Sequence, residues 1–128
     1  MSRLDSELKS NIVIIEDDVL VRQALGDCVE SAGYAAEGFG SAEEFLASDA
    51  PGRTQCLILD VSMPGMSGPQ LQSELSRRGL GIPIIFVTAH CDAALRADLL
   101  ARGAVECLFK PFSEQDLRAA LDRVFGAP

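Results

Sequence analysis

Five short apolar runs punctuate this chain, and each ends in a turn or a polar residue. Residues 11–15 (Asn-Ile-Val-Ile-Ile) stop at Glu16-Asp17-Asp18. A weaker run covers 34–39, with Gly38 and Gly40 near its end. Residues 55–60 stop at Asp60, 83–87 lead into Thr88-Ala89-His90, and 105–109 lead into Lys110-Pro111. Short apolar runs bounded by turn signals predict buried strands. A strand apolar on both faces predicts a parallel sheet covered on both sides.

Between the runs the apolar spacing is helical. Val21, Ala24, Leu25, Cys28, Val29 and Ala32 predict a helix that Gly33 stops. Ser41-Ala-Glu-Glu44 has the form of a capping box, so a helix is predicted from there to about Ser48, with a loop over 49–52. Ser67 is the expected N-cap of a helix to about Arg78, closed by Gly79. Asp92 is the expected cap of a helix to about Arg102, closed by Gly103. Ser113 opens the last helix, whose apolar stripe is Leu117, Ala120, Leu121, Val124 and Phe125. Alternating strands and helices imply right-handed βαβ units. The predicted fold class is α/β: a five-stranded parallel sheet with helices on both faces, in the flavodoxin-like order 2-1-3-4-5. Residues 1–10 read as a polar lead-in and 11–126 as one domain, with no second domain within the chain.

Composition narrows the function classes. The 128 residues suffice for one domain with its own core. A net charge of −8 argues against non-specific nucleic-acid binding and against a basic membrane-surface helix. No apolar stretch reaches the ~18–20 residues of a membrane span. Cys28, Cys56, Cys91 and Cys107 show no CxxC spacing; three lie in apolar segments and Cys91 at a helix start. They read as reduced thiols of a cytosolic protein. With one histidine and no Cys/His cluster, zinc is not expected.

The predicted strand ends carry the chemistry. Glu16, Asp17 and Asp18 follow the first strand, Asp60 ends the third, Thr88 and His90 follow the fourth, and Lys110 follows the fifth. In open α/β sheets ligands bind at the carboxyl ends of the strands. Crowded carboxylates repel one another, and a divalent cation relieves this. All-oxygen ligation favours magnesium, calcium or manganese; so few protein oxygens suggest magnesium that keeps waters and shares a phosphate. Lysine suits a phosphoryl oxygen, and a threonine hydroxyl can donate to another. Asp60, central among the acids, is placed to attack phosphorus and form an acyl phosphate. Taken singly, each residue also has an ordinary role: Asp60 and Thr88 as caps, the acid run as a complement to a helix N-terminus, Lys110 as a solvated cation.

Together these residues resemble the receiver domain of two-component response regulators. Ile-Ile-Glu16-Asp17-Asp18, Leu-Ile-Leu-Asp60-Val-Ser-Met-Pro-Gly-Met-Ser-Gly68, Phe-Val-Thr88-Ala-His and Phe-Lys110-Pro-Phe stand in the family's order and spacing, over about 11–125. The wording of the segments looks most like the FixJ branch, whose receivers usually precede a helix-turn-helix DNA-binding domain. The resemblance implies that Asp60 is the phosphoacceptor for a histidine kinase. It implies Mg2+ (or Mn2+) held by Asp17, Asp60 and the Ser62 backbone carbonyl, with Glu16 helping through water. Thr88 and Lys110 would bind phosphoryl oxygens, and the Lys110-Pro111 bond would be cis. Glu16 and Asp17 are taken as the acid pair because Val21-Arg22 then falls where the family has similar residues; Asp18 becomes a helix-start acid.

One departure stands out. The family usually has Tyr or Phe three residues before the lysine, as the ring that reports phosphorylation; here that position is Cys107. It reads as a small core residue on the last strand, with Phe109 on the same face as a substitute ring. Ser62 and His90 occupy positions that tune phosphate lifetime. The implied function is a switch in which phosphorylation remodels the face of the fourth helix, fifth strand and fifth helix. That face would control an output domain, a partner protein or a phosphorylation-dependent homodimer. A phosphatase with an aspartyl-phosphate is disfavoured, because such enzymes carry a second acid where Ser62 stands. A phosphorylation-independent interaction module is favoured only by Cys107.

Overall fold

The computed structural model describes residues 11–90 and 92–126. The lead-in over 1–10 and the helix-start position of Cys91 lie outside the described residues. The chain alternates β1 (Asn11–Ile15), α1 (Val19–Ser31), β2 (Ala35–Phe39), α2 (Ala42–Ala47), β3 (Cys56–Asp60), α3 (Gly68–Arg77), β4 (Ile84–Thr88), α4 (Ala93–Ala101), β5 (Glu106–Phe109) and α5 (Glu114–Phe125). The strands form one parallel sheet in the order β2-β1-β3-β4-β5, as predicted.

Strand alternation splits the interior into two cores. Val13, Ile15, Leu57, Leu59, Ile84, Phe86 and Cys107 pack with Phe45 of α2, Leu71 and Leu75 of α3 and Leu99 of α4. Ile12, Ile14, Cys56, Ile58, Ile85 and Val87 pack on the other face with Leu25 and Val29 of α1 and with Leu117 and Leu121 of α5. β3 and β4 are buried at every residue, which is why they read as continuous apolar runs. Cys28, Cys56 and Cys107 are free thiols, and burial pushes Cys56 up to about 12.

The element boundaries differ from the sequence reading at points with clear local causes. α1 begins at Val19, with Asp18 as the expected helix-start acid: its Oδ1 accepts the N–H groups of Leu20 and Val21. β3 begins at Cys56 because the Gln55 side chain accepts the N–H of Asn11 at 2.7 Å. β4 runs from Ile84 through Thr88, which pairs in register with Phe109. β5 starts at Glu106 rather than Val105. The loop after α2 contains a 3-10 turn, Ala50–Gly52. Only half of the Ser41 capping box forms: Ser41 Oγ accepts the N–H of Glu44. Complete boxes form instead at Ser67 with Gln70 and at Ser113 with Asp116. The Lys110-Pro111 bond is cis.

Gly68 fixes where α3 starts. Its N–H donates to the Val61 carbonyl at 3.0 Å. A Cβ there would lie 2.5 Å from the Asp60 carbonyl oxygen and 3.0 Å from the Phe86 ring. Helix and strand end can be this close only with glycine between them. Gly68→Ala is therefore expected to lower unfolding free energy by about 1–3 kcal/mol, the usual cost of overpacking. Urea denaturation measures this; an unchanged midpoint would contradict the close approach.

Candidate functional site

Two strand ends and two loops meet at the carboxyl edge of the sheet. Glu16 directly follows β1; its N–H donates to the Phe39 carbonyl at 3.1 Å, which tucks the side chain inward, 1% exposed. Asp17, one residue on, is exposed at the rim. Asp60 closes β3 and is 7% exposed, with Oδ1 accepting the Ser62 N–H at 3.1 Å. Carboxylate oxygens of Glu16, Asp17 and Asp60 all lie within 4.8 Å of one another.

Lys110 enters from the loop after β5. Its N–H donates to the Thr88 carbonyl at 2.7 Å, which aligns the loop with β4. Its Nζ lies 2.8 Å from Glu16 Oε1 and 3.6 Å from Asp60 Oδ2. The nearer partner is thus Glu16, not the aspartate. Burial disfavours the Lys110 charge, yet the bond to Glu16 and the charges of Asp60 and Glu16 outweigh it and raise the pKa. Burial likewise raises the Glu16 pKa; the adjacent Asp60 adds to this and Lys110 opposes it.

The remaining predicted residues are spread around this centre. Thr88 is buried, and its Oγ1 accepts the His90 N–H at 3.2 Å. His90 and Ser62 are exposed. Cys107 is buried among the α2–α4 core residues, and half-buried Phe109 packs against the same core. In register, Phe109 is the residue that faces Thr88.

The donor set fits a small hard dication. It consists of oxygens only, and it leaves one group unsatisfied: Glu16 Oε2 is buried without a hydrogen-bond partner among the described residues. A buried carboxylate oxygen without a donor is costly, and a metal ion or its water would supply what is missing.

Sequence reasoning missed one contributor. Glu43, in the first turn of α2, accepts the Met66 N–H on Oε2 at 2.8 Å and so ties down the loop that follows Asp60. Gly65 in that loop has φ +76°, and a Cβ on it would lie 2.5 Å from the same oxygen. The contact spans 23 residues, so no local spacing announces it.

Comparison with known proteins supports what this geometry suggests. Residues 12–122 match the family model described as the response regulator receiver domain. Nodulation protein W of Bradyrhizobium diazoefficiens is 42% identical over 96% of this chain and 53% of its own length. The transcriptional regulatory protein FixJ of Azorhizobium caulinodans is 37% identical over 88% of this chain and 54% of its own. The structure of the response regulator StyR superposes with a TM-score of 0.83 at 41% identity, over 91% of this chain and 59% of that one. The chain spans about half the length of the relatives it matches. It belongs to the receiver-domain family of two-component response regulators, and its relatives include FixJ.

Proposed function

We propose that Asp60 is the phosphoacceptor of this receiver domain and that a histidine kinase is its donor. The observation that carries the reading is the pairing of the Asp60 carboxylate with Lys110 Nζ at 3.6 Å, inside a three-carboxylate cluster. An Asp60 oxygen forms the P–O bond as the P–N bond to the donor imidazole breaks. The electron pair stays on that nitrogen, which takes a proton. Lys110 follows the developing phosphoryl charge, exchanging its Glu16 contact for a phosphoryl oxygen, and the Thr88 hydroxyl donates to a second.

Asp17, Asp60 and the Ser62 backbone carbonyl would hold Mg2+, with Glu16 helping through water; Mn2+ can replace it. Bound there, the ion neutralises charge on the transferring group. The domain thus acts as a switch that catalyses its own phosphorylation and dephosphorylation. Residues 11–126 form the receiver unit. Its state would be read on the face formed by α4, β5 and α5, by a transcriptional output domain, by a partner protein or through a homodimer. With Cys107 in the core, Phe109 beside Thr88 is the ring placed to respond. The setting is cytoplasmic, and no helix among the described residues is long and apolar enough to cross a membrane.

Incubation with Mg2+ and a small phosphodonor tests this by intact mass. Wild type is expected to gain one phosphate, chelation to abolish the gain, and Asp60→Asn to show none. Lys110→Ala is expected to slow labelling on the order of a hundredfold, as for loss of one charge-stabilising donor. No adduct on wild type, or an unchanged adduct on Asp60→Asn, would overturn the reading.

His90 is exposed two residues after Thr88, and its N–H donates to Thr88 Oγ1 at 3.2 Å. His90→Ala is expected to change the dephosphorylation rate of the labelled protein without changing its labelling site. Equal rates would remove His90 from the tuning set.

A further inference from the structure

The acid pair sits in a turn of only three residues between β1 and α1, and something must hold that turn. We infer that Arg22 is the positioning residue for the Glu16-Asp17 turn, and that Gly38 and Gly40 exist at the end of β2 to make room for it. The inference rests on the metal-binding role proposed for Asp17 and Glu16.

The geometry is specific. Arg22 Nη1 donates to the backbone carbonyl of Glu16 at 2.7 Å, in a partly buried setting. Among the described residues this carbonyl is the hydrogen-bond partner of the guanidinium, and no ion pair of Arg22 is found there. The same Glu16 donates its own N–H to Phe39. Asp18 caps α1 through Leu20 and Val21. The turn is therefore pinned at Glu16 N, at Glu16 O and at Asp18 Oδ1. Asp17, between the pins, has no hydrogen-bond partner among the described residues. Fixing its neighbours leaves its carboxylate aimed at the cluster with Glu16 and Asp60.

The glycines complete the argument. A Cβ on Gly38 would lie 3.1 Å from Arg22 Cδ and 3.2 Å from Cγ; one on Gly40 would lie 3.3 Å from Glu44 Oε2 and 3.4 Å from Arg22 Nη1. Neither glycine has positive φ, so the backbone itself does not require them. What their missing side chains provide is a trough along the sheet edge for the arginine stem. Glycine inside a strand weakens it and often marks a close approach; here the approaching group is Arg22. Arginine suits the task because its planar fork directs a hydrogen bond, whereas lysine offers a point charge.

Residues that orient metal ligands, without touching the metal, typically alter affinity about 10–100-fold. Mg2+ affinity, measured by calorimetry on the purified chain, is the readout, with Tm recorded for each variant. Arg22→Ala is expected to weaken Mg2+ binding at least about tenfold. Gly38→Ala crowds the stem without removing the charge and is expected to weaken binding in the same direction. In the Arg22→Ala background, Gly38→Ala is expected to add nothing to the loss. Arg22→Ala binding Mg2+ as tightly as wild type, with or without a lower Tm, would overturn the inference. So would a Gly38→Ala effect that persists undiminished once Arg22 is gone. Should Arg22→Ala fail to fold, an unchanged Mg2+ affinity in Gly38→Ala would overturn it by itself. A wild type that does not bind Mg2+ would instead overturn the metal reading, and the role of Arg22 with it.

Discussion

Charge crowding at the end of the sheet is the constraint that organises the rest. Glu16, Asp17 and Asp60 bring carboxylate oxygens within 4.8 Å of one another, two of them from buried residues. Two like charges about 4 Å apart repel by about 4 kcal/mol at an effective dielectric of 20. Lys110 offsets part of this by lying between Glu16 and Asp60. One ammonium cannot serve three acids, and the consequence is visible: Glu16 Oε2 is left buried without a hydrogen-bond partner among the described residues. The site is therefore held in a state that a bound dication would relieve. Binding energy of that kind is available to drive a switch.

The fold exists to hold that strained arrangement still. Each site residue stands at or just past the end of a strand whose apolar residues pack into one of two cores. The loops are then tied individually: Glu16 to Phe39 and Arg22, the Asp60 loop to Glu43, Lys110 to Thr88. Gly68 brings the first turn of α3 against the Asp60 carbonyl, so Asp60 is backed by a helix as well as by its strand.

Much of this is legible in residue order. β1, β3 and β4 are apolar on both faces, so they announce a covered parallel sheet, and the acids, Thr88 and Lys110 announce themselves by standing where the runs stop. Boundaries were legible to within about a residue: the helix-start acid Asp18 does cap α1, while β3 and β5 each begin one residue later than their apolar runs. The supporting layer was not legible at all. Glu43 and Met66 are 23 residues apart, and the pairing of Gly38 with Arg22 depends on how β2 lies beside β1. Gly38 and Gly40 were visible as a weakness in a strand, but the reason for them is three-dimensional. The aromatic position is intermediate: sequence shows Cys107 in place of a ring, and only the β4–β5 register puts Phe109 opposite Thr88.

If four strand ends form one metal and phosphoryl site, a crystal structure with Mg2+ and beryllofluoride, which mimics an acyl phosphate, will show it. The beryllium is expected on an Asp60 oxygen and the metal on Asp17, Asp60 and the Ser62 carbonyl. Thr88 and Lys110 should each contact a fluoride, and Lys110 should have left Glu16. Beryllofluoride on another side chain, or a metal bound away from Asp17 and Asp60, would contradict it.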